Sequence, residues 1–173
     1  LAGLGVSFKV PPGFERQPEA PGNEEAGWVK GDSSSETVTG LTFRALYDPE
    51  VDLSRPHRTF FGAWDDDKLA GFWRDTLAQM DGYKTHEASR HRGWPSAQTS
   101  LEVKRADENG KEINEAVEMR MVMHENVMLV MQCYDSSSKP VPEHAKTASG
   151  ICAPFFDSLE LEGGAPEDPP LPR

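Results

Sequence analysis

The two cysteines, Cys133 and Cys152, have the widest range of possible chemistry in this sequence. A cysteine acts as a nucleophile when nearby positive charge stabilises its thiolate, but both cysteines lie in apolar patterns, where thiols are usually inert. A disulfide between them would close a loop of about 20 residues and contribute about 3 kcal/mol. It would also indicate an extracytoplasmic location. The sequence leaves open both this disulfide and two buried free thiols.

The histidines and carboxylates form no pattern that is typical of a metal or catalytic site. His86 and His91 are an odd number of positions apart, so they fall on opposite faces of a strand and zinc ligation is not expected. The run from Asp65 to Asp67 lacks the glycine and terminal glutamate of a calcium loop and fits a capped helix start instead. P-loop, dinucleotide-binding and nucleophile-elbow motifs are absent from the sequence. We therefore expect no cofactor and no metal, and an enzyme would need a site assembled from distant residues.

The charge of the chain excludes one class of partner. The sequence has 29 acidic and 18 basic residues and a formal net charge of −11, which repels phosphate backbones. The densest basic stretch, from Lys84 to Arg92, fits the solvated face of a strand. We therefore expect a protein or peptide partner and no nucleic acid.

No apolar run approaches the roughly 20 residues needed to cross a bilayer. The longest one, Val127 to Met131, has the length of a strand. The chain begins at Leu1 without an initiator methionine, so we expect it to be a piece of a longer precursor. Removal of a signal or lipoprotein leader would explain this start, and so would ordinary trimming. Membrane association is expected only through such a removed lipid anchor.

Hydrophobic periodicity predicts the elements that hold these residues. Asp65 is expected to cap an amphipathic helix whose apolar positions run from Leu69 to Met80 and which stops at Gly82. A second helical region near the C-terminus has its apolar stripe interrupted at Pro154, where we expect a kink or two short helices. Alternating apolar residues predict strands at Val6–Val10, Trp28–Lys30, Thr37–Tyr47, Tyr83–His91, Ala97–Arg105, Ile113–Met123 and Val127–Tyr134.

This order of elements favours an α+β fold, with an antiparallel sheet of about six strands flanked by helices. Residues 1–162 are expected to form one domain. Residues 163–173 are rich in glycine and proline and are expected to be a tail or linker.

The hairpin between Ile113 and Tyr134 decides which side chains are buried. A three-residue turn, which we prefer, unites Met119, Met121 and Cys133 on one buried face, and a two-residue turn would invert one strand relative to the other. The opposite face would be amphipathic, and we interpret it as a candidate binding surface, with a second helix-covered layer as the alternative. Its residues are Glu118, Arg120, Val122, Met128, Val130, Gln132 and Tyr134.

Three segments resemble PsbP-like and DcrB-like domains. Val6–Phe14 resembles their opening strand followed by Pro-x-Gly-Phe, Gly110–Cys133 resembles their late hairpin, and Ile151–Leu161 resembles their terminal helix. The resemblance implies an antiparallel sheet between helices and a noncatalytic role. Members are often bacterial lipoproteins, accessory proteins of photosystems, or chaperones of type VI secretion effectors, and they share no catalytic residue to carry over.

Two functional hypotheses follow, and they belong to different classes. The first is a noncatalytic extracytoplasmic binding or accessory protein of the bacterial cell envelope, derived from a lipoprotein. The alternative is a cytoplasmic chaperone of a type VI secretion effector, which would shield apolar helices of its client on the methionine-bearing sheet. An enzyme on this scaffold is the least favoured hypothesis.

Overall fold

The computed structural model of the chain describes residues 5–18, 25–31, 37–47, 66–106, 109–124, 127–138, 150 and 152–163. The expected helix cap at Asp65 and nearly all of the expected tail at 163–173 lie outside these residues. For Leu69 only the backbone is described, and it lies in a helix.

The fold is mainly an antiparallel β-sheet with a helix on each face. Seven strands form the main sheet in the order β2-β3-β4-β8-β7-β6-β5, and β1 pairs with β9 in a separate two-stranded sheet. The strands are β1 (Val6–Ser7), β2 (Glu15–Arg16), β3 (Glu25–Lys30), β4 (Thr37–Tyr47), β5 (Tyr83–His91), β6 (Trp94–Ala106), β7 (Glu112–His124), β8 (Val127–Ser137) and β9 (Glu160–Leu161). The helices are α1 (Asp66–Leu77) and α2, which includes residues 152–157.

Both faces of the sheet bury apolar side chains, as expected for a sheet packed between helices. On one face Trp73 and Leu77 of α1 pack against Met119 and Met121, which are 1% and 3% exposed. On the other face Phe155, Phe156 and Leu159 of the α2 region pack against Leu41, Phe43, Leu129 and Met131. Each large side chain buried in this way stabilises the fold by about 1.5–3 kcal/mol. The prediction that Met119 and Met121 point inward is confirmed.

The register of the β7–β8 hairpin differs from the prediction. His124 pairs with Val127 and Met121 pairs with Val130, so two residues separate the strands and the expected three-residue turn is wrong. The prediction assumed that the strands share a single apolar face. Because α1 and α2 cover opposite faces, each face takes one apolar set from each strand. Cys133 therefore shares a face with Glu118, its direct partner on β7.

Gly82 does not end α1. The helix stops at Leu77, and two hydrogen bonds continue the chain as turns, Met80 N–Leu77 O at 3.0 Å and Tyr83 N–Met80 O at 3.2 Å. Gly82 has a φ of +72°, and a Cβ added there would collide with the backbone carbonyl oxygen of Glu102. A glycine is therefore required at this position because the chain enters β5 in direct contact with the backbone of β6. The prediction of a helix stop did not include this contact.

Pro154 does not divide the C-terminal helix. Residues 152–157 are all helical and Pro154 is exposed, so two short helices separated at this proline are not found.

The helix α2 is attached to the sheet at both ends of its described part. A disulfide joins Cys152 to Cys133 of the central strand β8, with both residues buried and their Cα atoms 5.4 Å apart. Near the other end, Arg120 Nη1 donates to Asp157 Oδ1 at 3.0 Å, and the same guanidinium lies 5.4 Å from the centre of the Phe156 ring. These contacts fix α2 across the strands β4, β8 and β7.

Candidate binding site

The seven residues predicted to form one binding surface lie on two different faces. The register of the hairpin turns Glu118, Arg120 and Val122 toward α2. There Val122 is fully buried, Glu118 accepts a hydrogen bond from Ser100, and Arg120 is bound to Asp157. The prediction that these three residues share a surface with the other four is therefore wrong, because it depended on the three-residue turn.

The other four residues, Met128, Val130, Gln132 and Tyr134, lie on the face that carries α1. The backbone of the helix lies nearest to β5 and β6, so β3, β4 and β8 lie to one side of it. Met128 is partly buried and Val130 is 6% exposed, so the apolar end of this group contributes to the core. The side chains of β3, β4 and β8 that point to this side define what we call the Tyr134 face: Glu25, Gly27, Val29, Gly40, Thr42, Arg44, Gln132 and Tyr134.

Tyr134 lies down across the neighbouring strand at the centre of this face. Gly40 is its direct partner on β4, and a Cβ built on Gly40 would occupy the same space as the phenol end of the ring. The ring can take this position only because Gly40 has no side chain, an arrangement in which an aromatic residue covers a glycine on the adjacent strand. The side chain of Tyr134 is therefore parallel to the sheet instead of projecting from it.

Polar groups surround the ring. Thr42 Oγ1 donates to Gln132 Oε1 at 3.2 Å on the adjacent row, and Gln132 Nε2 lies 3.9 Å from Met119 Sδ. Glu25 and Arg44 approach to 4.0 Å across β3 and β4. A Cβ added to Gly27, on the row of Thr42, would make ordinary van der Waals contacts with Gln17 Cβ and Leu41 O at 3.9 Å, so a small group fits at that position.

The phenol of Tyr134 is held in its neutral form. Burial raises the pKa of Tyr134 above the ordinary value of 10.0, the carboxylates of Glu115 and Glu25 raise it further, and Arg105 opposes them. A neutral phenol keeps both its hydrogen-bond donor and its acceptor at physiological pH.

We expect Tyr134 to make the stability of the protein depend on pH in the alkaline range. Because its folded pKa is above the unfolded value, its contribution is fully present below pH 10.0 and is lost as the pH rises through the folded pKa. Urea unfolding of the wild type and of Tyr134→Phe at about pH 9 and about pH 11 measures this. The wild type should lose more stability than Tyr134→Phe between these values, and equal losses would contradict the prediction.

The residues that the sequence suggested for chemistry have structural contacts in the described part of the chain. No group of three or more His, Cys, Asp or Glu side chains could hold a metal ion there. His86 and His91 lie on opposite faces of β5, as predicted, and make structural contacts: His86 Nδ1 lies 2.7 Å from Tyr83 Oη, and His91 Nε2 lies 2.9 Å from Leu159 O. Both cysteines are in the disulfide. No helix in the described ranges is long and apolar enough to span a membrane.

Sequence reasoning missed the contribution of β3 and β4 to this face. It placed Leu41, Phe43 and Ala45 on one side of β4, which puts Gly40, Thr42 and Arg44 on the other. A glycine inside a strand indicates the close approach of another group, so Gly40 was the available signal.

No protein-family model and no curated protein matches the chain. Several solved structures match it over most of its length, and three of them have a TM-score of 0.50. LpqN of Mycobacterium tuberculosis, described as involved in cell envelope biogenesis, is 14% identical and covers 90% of this chain and 82% of its own. CyanoP, the PsbP of Synechocystis sp. PCC 6803, is 12% identical with 92% and 88% covered. A point mutant of the protein Mog1 is 14% identical with 93% of both chains covered.

The chain has the fold of PsbP and Mog1. At these identities the likeness shows the fold alone. The PsbP-like part of the predicted resemblance is confirmed at this level, and the DcrB-like part stays a prediction. The Tyr134 face comes from the residues of this chain, since the PsbP/Mog1 fold by itself specifies no site.

Proposed function

We propose that the protein is a noncatalytic, extracytoplasmic binding or accessory protein of the bacterial cell envelope. The buried Cys133–Cys152 disulfide carries this proposal, because such bonds persist in oxidising compartments and are rare in the cytosol. The shared fold with LpqN, a protein involved in cell envelope biogenesis, supports the same compartment. The derivation from a lipoprotein is part of the same proposal.

The Tyr134 face is the surface proposed to hold the partner. It combines an aromatic ring with hydrogen-bonding groups beside the helix-covered part of the sheet, the composition expected of a recognition surface. The chaperone hypothesis requires Met128 and Val130 to present an open apolar surface to a client helix. Val130 is 6% exposed, and the disulfide argues against the cytoplasm, so the envelope role is the better supported of the two.

Thiol titration of the protein from its native source tests the compartment. Under denaturing and nonreducing conditions we expect no free thiol, because both cysteines are in the bridge. Two titratable thiols in freshly prepared native protein would overturn the extracytoplasmic assignment.

A photo-crosslinking residue placed at Thr42 tests the surface in the same native cells. Thr42 lies on the Tyr134 face, and the control position Ala153 is exposed on α2 at the opposite side of the sheet. We expect an adduct in the envelope fraction from position 42 and not from position 153. Equal adducts from both positions, or none from either, would contradict the placement of the binding surface.

A further inference from the structure

We infer that the Tyr134 face binds an uncharged carbohydrate, with the ring of Tyr134 as the platform on which one face of a sugar packs. This inference rests on the proposed function and names the ligand class of the same surface. Three observations carry it: the position of the ring, the balance of charge around it and the polar groups beside it.

The position of the ring suits a sugar. A pyranose presents C–H groups on its face and hydroxyls at its edge, so it packs on an aromatic ring that lies parallel to a surface. Gly40 lets the ring of Tyr134 lie on the strand in this orientation, and no other ring of the described residues stacks on it. The side chain of Tyr83 packs instead beside the helix-covered cluster and bonds to His86.

The charge of the face suits a neutral ligand. The chain carries a net charge of −11, yet the two carboxylates that raise the pKa of Tyr134 each lie beside an arginine. Glu25 faces Arg44 at 4.0 Å, and Glu115 forms a close ion pair with Arg105 at 2.6 Å. These carboxylates and the net negative charge of the chain would repel a phosphate or another acidic ligand. The hydroxyl groups of a neutral ligand can bond to either member of an ion pair and leave no charge unpaired.

The polar side chains in the row beside the ring can form hydrogen bonds with a sugar that packs on the ring. Thr42 and Gln132 are joined to each other at 3.2 Å and are both partly exposed. Gly27, which has no side chain, extends this row toward β3. The hydroxyl of Thr42 and the amide of Gln132 match the hydroxyls at the edge of a sugar, and the aromatic ring beside them matches its C–H face. A few such polar groups fix the orientation of a ligand.

Titration of the full chain with maltoheptaose and with chitohexaose, followed by amide chemical shifts, tests the inference. We expect shift changes confined to β3, β4 and β8, with a Kd on the order of 1 mM. Tyr134→Leu should weaken binding about tenfold and Tyr134→Phe should leave it nearly unchanged, because the aromatic face makes the contact and the hydroxyl does not. Gly40→Ala should also weaken it, because the added Cβ displaces the ring while every polar group remains.

Tyr83→Leu is the matched control, since it removes a tyrosine from the same side of the sheet outside the Tyr134 face. Binding that is equally reduced by Tyr83→Leu, or shift changes that map to β5 and β6, would overturn the inference. So would the absence of shifts for both sugars at about 10 mM. A protein adduct from position 42 without any sugar binding would reject the carbohydrate and leave the proposed function standing, whereas free thiols in native protein would reject the proposed function itself.

Discussion

Gly82→Ala is expected to lower the free energy of unfolding by about 3 kcal/mol. The left-handed conformation at Gly82, with φ +72°, costs an alanine about 1–2 kcal/mol. The new Cβ would also collide with the carbonyl oxygen of Glu102, and a backbone atom cannot move aside as a flexible side chain can. Overpacking of this kind adds about 1–3 kcal/mol. In a chain of this size the midpoint of thermal unfolding should fall by about 10 °C.

Gly110→Ala separates the two causes. Gly110 has a similar φ of +77°, but no atom lies within 4 Å of the position that its Cβ would take. This variant should therefore lose only the conformational part, about 1–2 kcal/mol. Denaturant unfolding of both variants gives the difference, and equal losses would show that the contact with β6 does not make Gly82 necessary.

Removal of the disulfide is expected to cost a similar amount. The bond between Cys133 and Cys152 spans a sequence separation of 19 and restricts the unfolded chain by about 3 kcal/mol in the chain-entropy model. The double variant Cys133→Ala/Cys152→Ala should therefore unfold at a clearly lower denaturant concentration. Because Cys133 is fully buried against Leu41 of β4, the smaller alanine adds a cavity cost to the same loss.

Reduction of the wild-type protein provides the comparison without a cavity. The wild type unfolded in the presence of a reductant should lose about the same 3 kcal/mol, while the double variant should not respond to the reductant at all. A wild type whose unfolding is insensitive to reduction would mean that the bridge does not stabilise the domain.

Local patterns predicted the strands well. The bounds of β4 and β5 match the predicted ranges Thr37–Tyr47 and Tyr83–His91. Both predictions used local signals: apolar and polar residues alternate in β4, and β5 is a charged segment between turn residues. The first predicted strand, Val6–Val10, is paired only at Val6–Ser7, where β9 is its partner. Its remaining apolar residues pack on the α2 side without a neighbouring strand, and pairing of this kind cannot be read from one segment alone.

The register of β7 and β8 could not be predicted from the hairpin. Both candidate registers bury apolar side chains, since the odd and the even positions of these strands each contain several. The decision comes from residues far away in the chain: Trp73 and Leu77 cover one side, and Phe155 and Phe156 cover the other. A local rule that seeks one apolar face therefore fails for a strand in the middle of a three-layer fold.

The same reason explains why only part of the candidate site was predicted. Gln132 and Tyr134 were identified because they lie on the hairpin, but Thr42, the neighbour of Gln132 on β4, is 90 residues distant in sequence, and β3 is more distant still. Thr42 and Gly40 meet them only after β4 inserts beside β8. Glu118, Arg120 and Val122 were included because the assumed turn placed them on the wrong side.

The pairing of β1 with β9 brings the two ends of the described fold together. Gly5 O accepts a hydrogen bond from Glu162 N at 2.7 Å, so the chain enters and leaves the described fold at one point. Val6 and Leu161 pack on the side of the sheet that carries α2. Both ends of the described fold therefore lie on the α2 side of the sheet, and the ring of Tyr134 lies on the opposite side.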